Sequence, residues 1–544
     1  MQQPTYPNQT PPTPPAAPGY VPPTPGYVPP TPVYVPRPPR PRLASEPRDV
    51  TLAAILAVLS VLAVNLSVYG GFHLGFALSF AALLLCGGIY LRKRTFPTPY
   101  SLFCTVAALA GTGVFLWHND GFMRFLTFAG MLVLIMLALT DSTGTARRNK
   151  GSIACLKDAL HMLVARPLTH LGDAVPAIFR VQRNGQLEKR RFGGVFLGLV
   201  CALPALLVVV PLLVSADAAF EGLLQHTILD NLGEVFLSVV LGVGLFCLLF
   251  SRWFSLQHSL ESAKPLQQKE RRGVDRLAVN AFLSVIAGVY VLYLFSQLAY
   301  FFSAFSGILP MDYTVAQYAR RGFFEMCVLC AINLLLVAGS LALSRKQESK
   351  APLSTRLIGL FILLFSIGLV AVALSKMGLY IRSFGMTRLR IFTSVFMVML
   401  GLTLIFVIIR LFAVKFPYMQ AVVVAVAILG LTTGYVDVDT VVAGYNVRAY
   451  QAGRLETVDT WTLSRLSDGA VPYLVELLDS DDPLVQEQAA DSLYSVLYEY
   501  GTVMENAFIP DPDEGWRAYN IDAARARALL TEKAPQILEK HTGY

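Results

Sequence analysis

YARRGFFEMCVLCAINLLLVAGSLALS, residues 318–344, opens on two arginines and continues as an apolar helix with polar groups set inside it. A hydrocarbon core of roughly 30 Å takes about 20 helical residues to cross, and residues 322–344 supply that length. Arg321, Glu325 and Asn333 recur at spacings of four and eight, which on a 3.6-residue helix places them on one stripe, with Arg321 and Glu325 close enough to pair. A carboxylate one turn inside a lipid-spanning helix costs roughly 2.5–3.5 kcal/mol on insertion scales, so it faces a partner or a wet cavity rather than lipid. Glu325 is then either a headgroup-level anchor paired with Arg321 or part of a functional site.

The rest of the chain has the same character. Over 544 residues it is 54% apolar and 15% charged, with a mean hydropathy of +0.54, which excludes an ordinary soluble protein. Ten further membrane-length apolar runs lie near 51–70, 72–91, 101–117, 122–140, 192–215, 235–255, 277–302, 357–375, 391–409 and 417–435. The run at 101–117 is the weakest, being short and holding Gly111 and Gly113. No period-two alternation of a β-barrel is present, which leaves a helical bundle as the spanning solution. The fold expected is all-α: a polytopic transmembrane bundle of about eleven spans, with a Pro-rich tail and a small helical C-terminal domain.

Residues 1–48 repeat GYVPPTP twice before drifting to VYVPRPP. Such a tract has no core to bury and is expected to be disordered and extended, a spacer or a ligand for an aromatic groove on a protein partner. Residues 49–140 form a first group of four spans, 141–191 a basic loop, and 192–435 a second group of seven. Within the loop, Leu156, Leu160, Leu163 and Val164 have helical spacing between basic residues, the pattern of a helix on an anionic leaflet or of a solvated helix packed on the bundle.

Lysines and arginines set the orientation. With a cytoplasmic N-terminus, the inside segments hold 29 basic residues and the outside loops seven, so the N-terminus is expected on the cytoplasmic side and the C-terminal region on the opposite one. All seven cysteines lie in spans or in the basic loop, where no structural disulfide is expected; the Cys327–Cys330 pair sits in an apolar helix without a second ligand pair, and reads as packing.

A second polar stripe lies in the span at 277–302, where Tyr290, Tyr293, Gln297 and Tyr300 share a face and Asn280 lies on the inner half. It either lines a path through the bilayer or joins helices to one another. The outer loop SKMGLYIRSFGMTRLR, 375–390, breaks the charge bias with Lys376, Arg382, Arg388 and Arg390.

YARRGFFEMCVLCAINL at 318–334, KMGLYIRSFGMTRLRIFTSVFM at 376–397 and GYNVRAY at 444–450 resemble the signature stretches of the uncharacterised bacterial membrane proteins grouped as domain of unknown function 4153 or 4173. The resemblance spans residues 190–530 and implies a multi-pass plasma-membrane protein. It implies no activity, cofactor or substrate.

From residue 436 onward the chain carries eight basic and nineteen acidic side chains, a net of −11, against +19 for the remainder. The stretch AVPYLVELLDSDDPLVQEQAADSLYSVL resembles one helical pair of the HEAT type, with Asp482-Pro483 as cap and first turn. One such pair cannot bury its own core, so it is expected to pack on helices near 439–453 and 520–539, with Trp516 as a buried anchor. Asp437 and Asp439 read as a helix cap. The acidic domain is expected to dock on the basic outer rim through Arg320, Arg382, Arg388 and Arg390.

No Gly-Lys-Ser phosphate loop, HExxH or GxSxG is present, and no cofactor, metal or nucleic acid is expected. Three functions remain: a non-catalytic envelope protein with a regulatory or interaction role, a transporter or flippase using the two polar stripes, or an enzyme whose outer arginines hold a lipid-linked anion.

Overall fold

A computed structural model describes residues 45–145, 154–189 (without 179, 184 and 185), 209, 229–258, 274–306, 323–343 and 352–542 (without 505, 506, 513 and 514). The tail before Ser45, the expected span at 192–215 apart from residue 209, and the pair Arg320 and Arg321 lie outside them.

Local chemistry fixes the helix starts. Helix α1 (Pro47–Val68) opens with a capping box between Glu46 and Asp49 and with Pro47 in the first turn, where its missing amide costs nothing. After α2 (Leu74–Leu91), α3 (Pro99–Trp117) repeats the device with Thr98, Pro99 and Ser101, and Asp120 caps α4 (Gly121–Ser142). Two short helices, α5 (Ala154–Leu163) and α6 (Ala165–Ala177), and a hairpin of β1 (Arg180–Arg183) with β2 (Gln186–Lys189) follow. Next come α7 (Leu229–Gln257), α8 (Arg276–Ser306), α9 (Phe323–Leu343), α10 (Leu353–Phe384), α11 (Arg388–Phe412) and α12 (Tyr418–Val436). Nine of the described helices are long and apolar enough to cross a membrane, and α9 carries a shorter apolar stretch at Glu325–Leu341. The chain is thus an all-α helical membrane protein. The glycines that weaken the 101–117 run are packing sites: a Cβ on Gly113 would stand 2.1 Å from the Tyr435 hydroxyl, and one on Gly111 2.8 Å from Met131.

The spans bury their apolar surface in separate clusters. Leu52 and Leu56 of α1 pack with Phe246, Phe250 and Phe254 of α7, and Cys104 and Phe115 of α3 pack with Met131 and Ile135 of α4 and with Met419 and Val423 of α12. Leu283 of α8, Cys330 of α9, Ile362 and Leu369 of α10 and Met397 and Leu404 of α11 make a further core. Antiparallel connections give the bundle two faces. On the N-face, buried Asp49 at the start of α1 accepts from Tyr90 at 2.8 Å and pairs with His258 at 2.8 Å. The C-face carries the turns at 118–120 and 385–387, and the polypeptide leaves the bundle there at Asp437.

The C-terminal region is built from α13 (Val438–Gln451), α14 (Thr460–Ser464), α15 (Val471–Glu476), α16 (Pro483–Tyr500) and α17 (Ile521–Thr542). Val447, Leu474, Leu478, Ala489, Leu493, Leu530 and Ile537 form its core. Gly501 ends α16 in extended backbone, and β3 (Gly501–Met504) pairs with β4 (Ala507–Pro510), a hairpin absent from the all-helical expectation. Trp516 is 61% exposed instead of a buried anchor. Backbone makes the contact at that place: the Arg517 carbonyl lies against Gly70, where a Cβ would be 2.9 Å away.

Candidate functional site at the junction of bundle and domain

Among the described residues, a dense group of buried charges lies where the C-face meets the C-terminal region. The connection from α3 to α4 is three residues, His118-Asn119-Asp120, because Asp120 already caps α4 by accepting from the Phe122 amide. His118 is buried between three elements. Its Nδ1 stands 2.5 Å from Asp522 Oδ2 on α17 and 3.7 Å from Asp437 Oδ2, and its Nε2 lies 2.9 Å from the Tyr435 carbonyl at the end of α12. A carbonyl only accepts and an ionised carboxylate only accepts, so both ring nitrogens must donate, which makes His118 an imidazolium. Burial pushes its pKa down, but the bonds to Asp522 and to the Tyr435 carbonyl and the charge of Asp437 outweigh it and leave the value raised.

Asp437 does two jobs. Its carboxylate caps α13 by accepting from the Asp439 and Thr440 amides, both at 3.2 Å, and its backbone takes a left-handed φ of 51° to turn the chain out of α12. Burial pushes its pKa up, against the Thr440 hydrogen bond and the His118 charge. Gly469 closes over this cap, where a Cβ would stand 2.3 Å from Asp437 Oδ2. Asp439, fully buried, receives Arg388 through Nε and Nη2 together and also accepts from the Ser467 amide at 2.8 Å.

Further bonds close the seam. Asn446 of α13 accepts from the Met386 amide at 2.7 Å and donates to its carbonyl at 2.9 Å, gripping the turn between α10 and α11. Asn119 donates to Asp468 at 2.9 Å, Asn520 to the Phe115 carbonyl at 3.3 Å, and Arg517 lies 3.9 Å from Glu234.

His118, Asp437 and Asp522 have the composition of a divalent-cation donor set. Ligands about 2.1 Å from one ion and a right angle or more apart are separated by about 3 Å, and the 2.5 Å between His118 and Asp522 is shorter than that. As it stands, His118 and Asp522 are at hydrogen-bond distance, with Asp437 further off at 3.7 Å.

Residues 104–477 match the family described as Domain of unknown function (DUF4153), which is more than half of the chain. The chain belongs to that family. The DUF4153 match begins well before residue 190, within α3, so the His118 turn, Arg388, Asp437 and Asp439 all fall inside it. Residues 466–495 match an Armadillo/beta-catenin-like repeat and take in α15 and most of α16. No curated protein and no solved structure matches the chain.

In this DUF4153 protein the sequence-selected residues disperse. Glu325 is exposed at the start of α9, and its expected partner Arg321 lies outside the described residues, as does Arg320. Asn333 is buried, accepts from the Tyr290 hydroxyl at 2.5 Å and donates to Ser366 at 2.9 Å, tying α9 to α8 and α10. Asn280 bonds Ser354 at 2.7 Å and Thr355 at 2.6 Å, and Tyr293 meets the Phe365 ring edge-on. The side chains of Gln297 and Tyr300 lie outside the described residues. Of the rim arginines, Arg388 pairs with the domain, whereas Arg390 turns back onto the Phe384 and Gly385 carbonyls and the Tyr380 ring, and Arg382 is exposed.

His118, Asn119 and Asp522 were not singled out by sequence, and Asp468 was readable only as a candidate helix cap. His118 and Asp522 are 404 positions apart, and the one local signal was an unusually polar His-Asn-Asp turn between two apolar runs.

Proposed function

We propose that this DUF4153 protein is a non-catalytic scaffold of the bacterial plasma membrane, whose bundle holds an acidic Armadillo-like domain in a fixed pose for a protein partner. The observation that carries this is the grip of Arg388 on buried Asp439, joined by the Asn446 clamp on Met386. A domain tethered for solubility has no use for a wholly buried carboxylate, which is costly to bury and needs a fixed cationic partner. Trp461 and Leu484 remain exposed on the domain, available for a partner. The basic bias supports a cytoplasmic N-face and an outer C-face.

The competing functions find less to work with. Asn333 and Tyr290, a path-lining pair in a transporter, spend their polar atoms on each other and on Ser366. Arg388 and Arg390, the phosphate grip of an enzyme, are engaged by Asp439 and by backbone carbonyls. The test is site-specific photocrosslinking in cells from positions 461 and 484, set beside lipid and wall-precursor profiles of a deletion strain. One defined protein adduct with unchanged profiles supports the scaffold. No adduct, together with an accumulated lipid-linked precursor, would replace it with transport or catalysis.

A further inference from the structure

We propose that the turn between α3 and α4 is a pH-sensitive latch, in which protonated His118 holds the first turn of α17 on the C-face and loss of that proton lets this turn, residues 521–526, lift away while the rest of the seam stays in place. The latch depends on the docked geometry and stands apart from the scaffold function.

The charged groups around His118 come from every element packed on it. Asp120 belongs to its own turn and Arg124 to α4; Asp437 and Asp439 follow α12, and Arg388 opens α11. Asp522 and Arg525 are on α17, 3.9 Å from each other, and Asp468 meets Asn119. Arg388 is committed to Asp439, Arg124 donates to the Gly71 carbonyl at 2.9 Å, and Arg525 is mostly exposed. The cation in hydrogen-bond contact with Asp522 at the seam is therefore His118 itself.

A neutral imidazole carries one N–H. Deprotonated, His118 serves either Asp522 or the Tyr435 carbonyl and points a lone pair at the other, while buried Asp437 loses the charge that offsets it. The direction follows from linkage. A histidine raised on folding contributes stability that is complete below its unfolded value, about 6.5, and lost as pH rises through its folded value. Asp437, also raised, acts with the same sign. The seam is therefore tightest below the ordinary histidine value and loosens as pH rises above it.

The test is hydrogen exchange on the full chain in lipid nanodiscs, corrected for intrinsic rates, from about pH 6 to about pH 9. Amides of 521–526 should exchange about tenfold faster at the upper end, while those of α1 and α2 hold. His118→Gln should exchange fast at every pH, and Asp522→Asn, which removes a group that raises His118, should shift the midpoint downward. Nitrogen-15 shifts of the His118 ring should show both nitrogens protonated on the acid side of the transition. A flat wild-type profile, an unmoved midpoint in Asp522→Asn, or a neutral ring on the acid side overturns the latch. The last two measurements stand even if His118→Gln does not fold.

Discussion

Arg388 holds Asp439 through two guanidinium nitrogens, although one residue opens a membrane-spanning helix and the other lies three residues beyond the last span. The carboxylate is fully buried, while the guanidinium side chain is 38% exposed. Removing the arginine strands a buried charge. Arg388→Ala should therefore destabilise the docked domain by about 2–4 kcal/mol, toward the low end for a broken buried pair because water still reaches the arginine. The Arg388→Ala, Asp439→Ala double variant should recover part of that loss, and Arg388→Lys should fall between, since ammonium cannot reproduce the two-pronged contact. A thermal-unfolding cycle in detergent reads all three, and strict additivity would mean that the pair contributes nothing specific. Salt should have little effect, because screening is weak where one partner is wholly buried.

The spans were legible because lipid leaves little choice: a run of some twenty apolar residues must become a helix. Ten of the eleven expected runs coincide with described helices, the run at 101–117 included, since its glycines serve Tyr435 and Met131 rather than breaking the helix. The site was legible in part. An acidic tail and an outer loop rich in arginine pointed toward Arg388, but chemistry type could not rank Arg388 above Arg382 or Arg390, whose roles depend on which carbonyls and rings lie nearby. Asp437 was readable as a cap because capping is local. The partner of Asp439 was not, because ion pairs across 51 residues leave no periodic trace.

Asn333 should behave as a join between helices. Asn333→Ala leaves the buried Tyr290 hydroxyl and Ser366 Oγ short of a partner and should cost about 1–2 kcal/mol, near the upper end for interhelical hydrogen bonds in membranes. Tyr290→Phe should cost less, and the two should be non-additive. Stability unchanged in both variants, with a cellular phenotype retained, would return the stripe to a transport role.

Close approach of α1 and α7 rests on one glycine. A Cβ on Gly242 would stand 2.7 Å from the Val61 Cα, a backbone atom that cannot rotate aside, whereas Gly244 on the same helix has open space. Gly242→Ala should destabilise by about 1–3 kcal/mol, and Gly244→Ala should be neutral or slightly stabilising. Equal melting temperatures for the two variants would mean that α1 and α7 do not meet at Gly242.

The fold and its orientation in the membrane are separable. Lys93, exposed in the turn after α2, lies on the N-face, and Asp481, exposed at the start of α16, belongs to the domain on the C-face. The geometry requires these two positions to be on opposite sides of any membrane the bundle crosses, whichever way it is inserted. The basic bias of 29 against seven then chooses the direction, because lysines and arginines in short loops resist translocation. In a cysteine-free variant, a cysteine at 481 should react with a membrane-impermeant maleimide on intact cells, and one at 93 should react after permeabilisation. Reaction at 93 but not 481 would invert the protein and place the Armadillo-like domain in the cytoplasm, leaving the fold and the Arg388–Asp439 grip untouched. Reaction at both positions from one side would contradict the two-faced bundle itself.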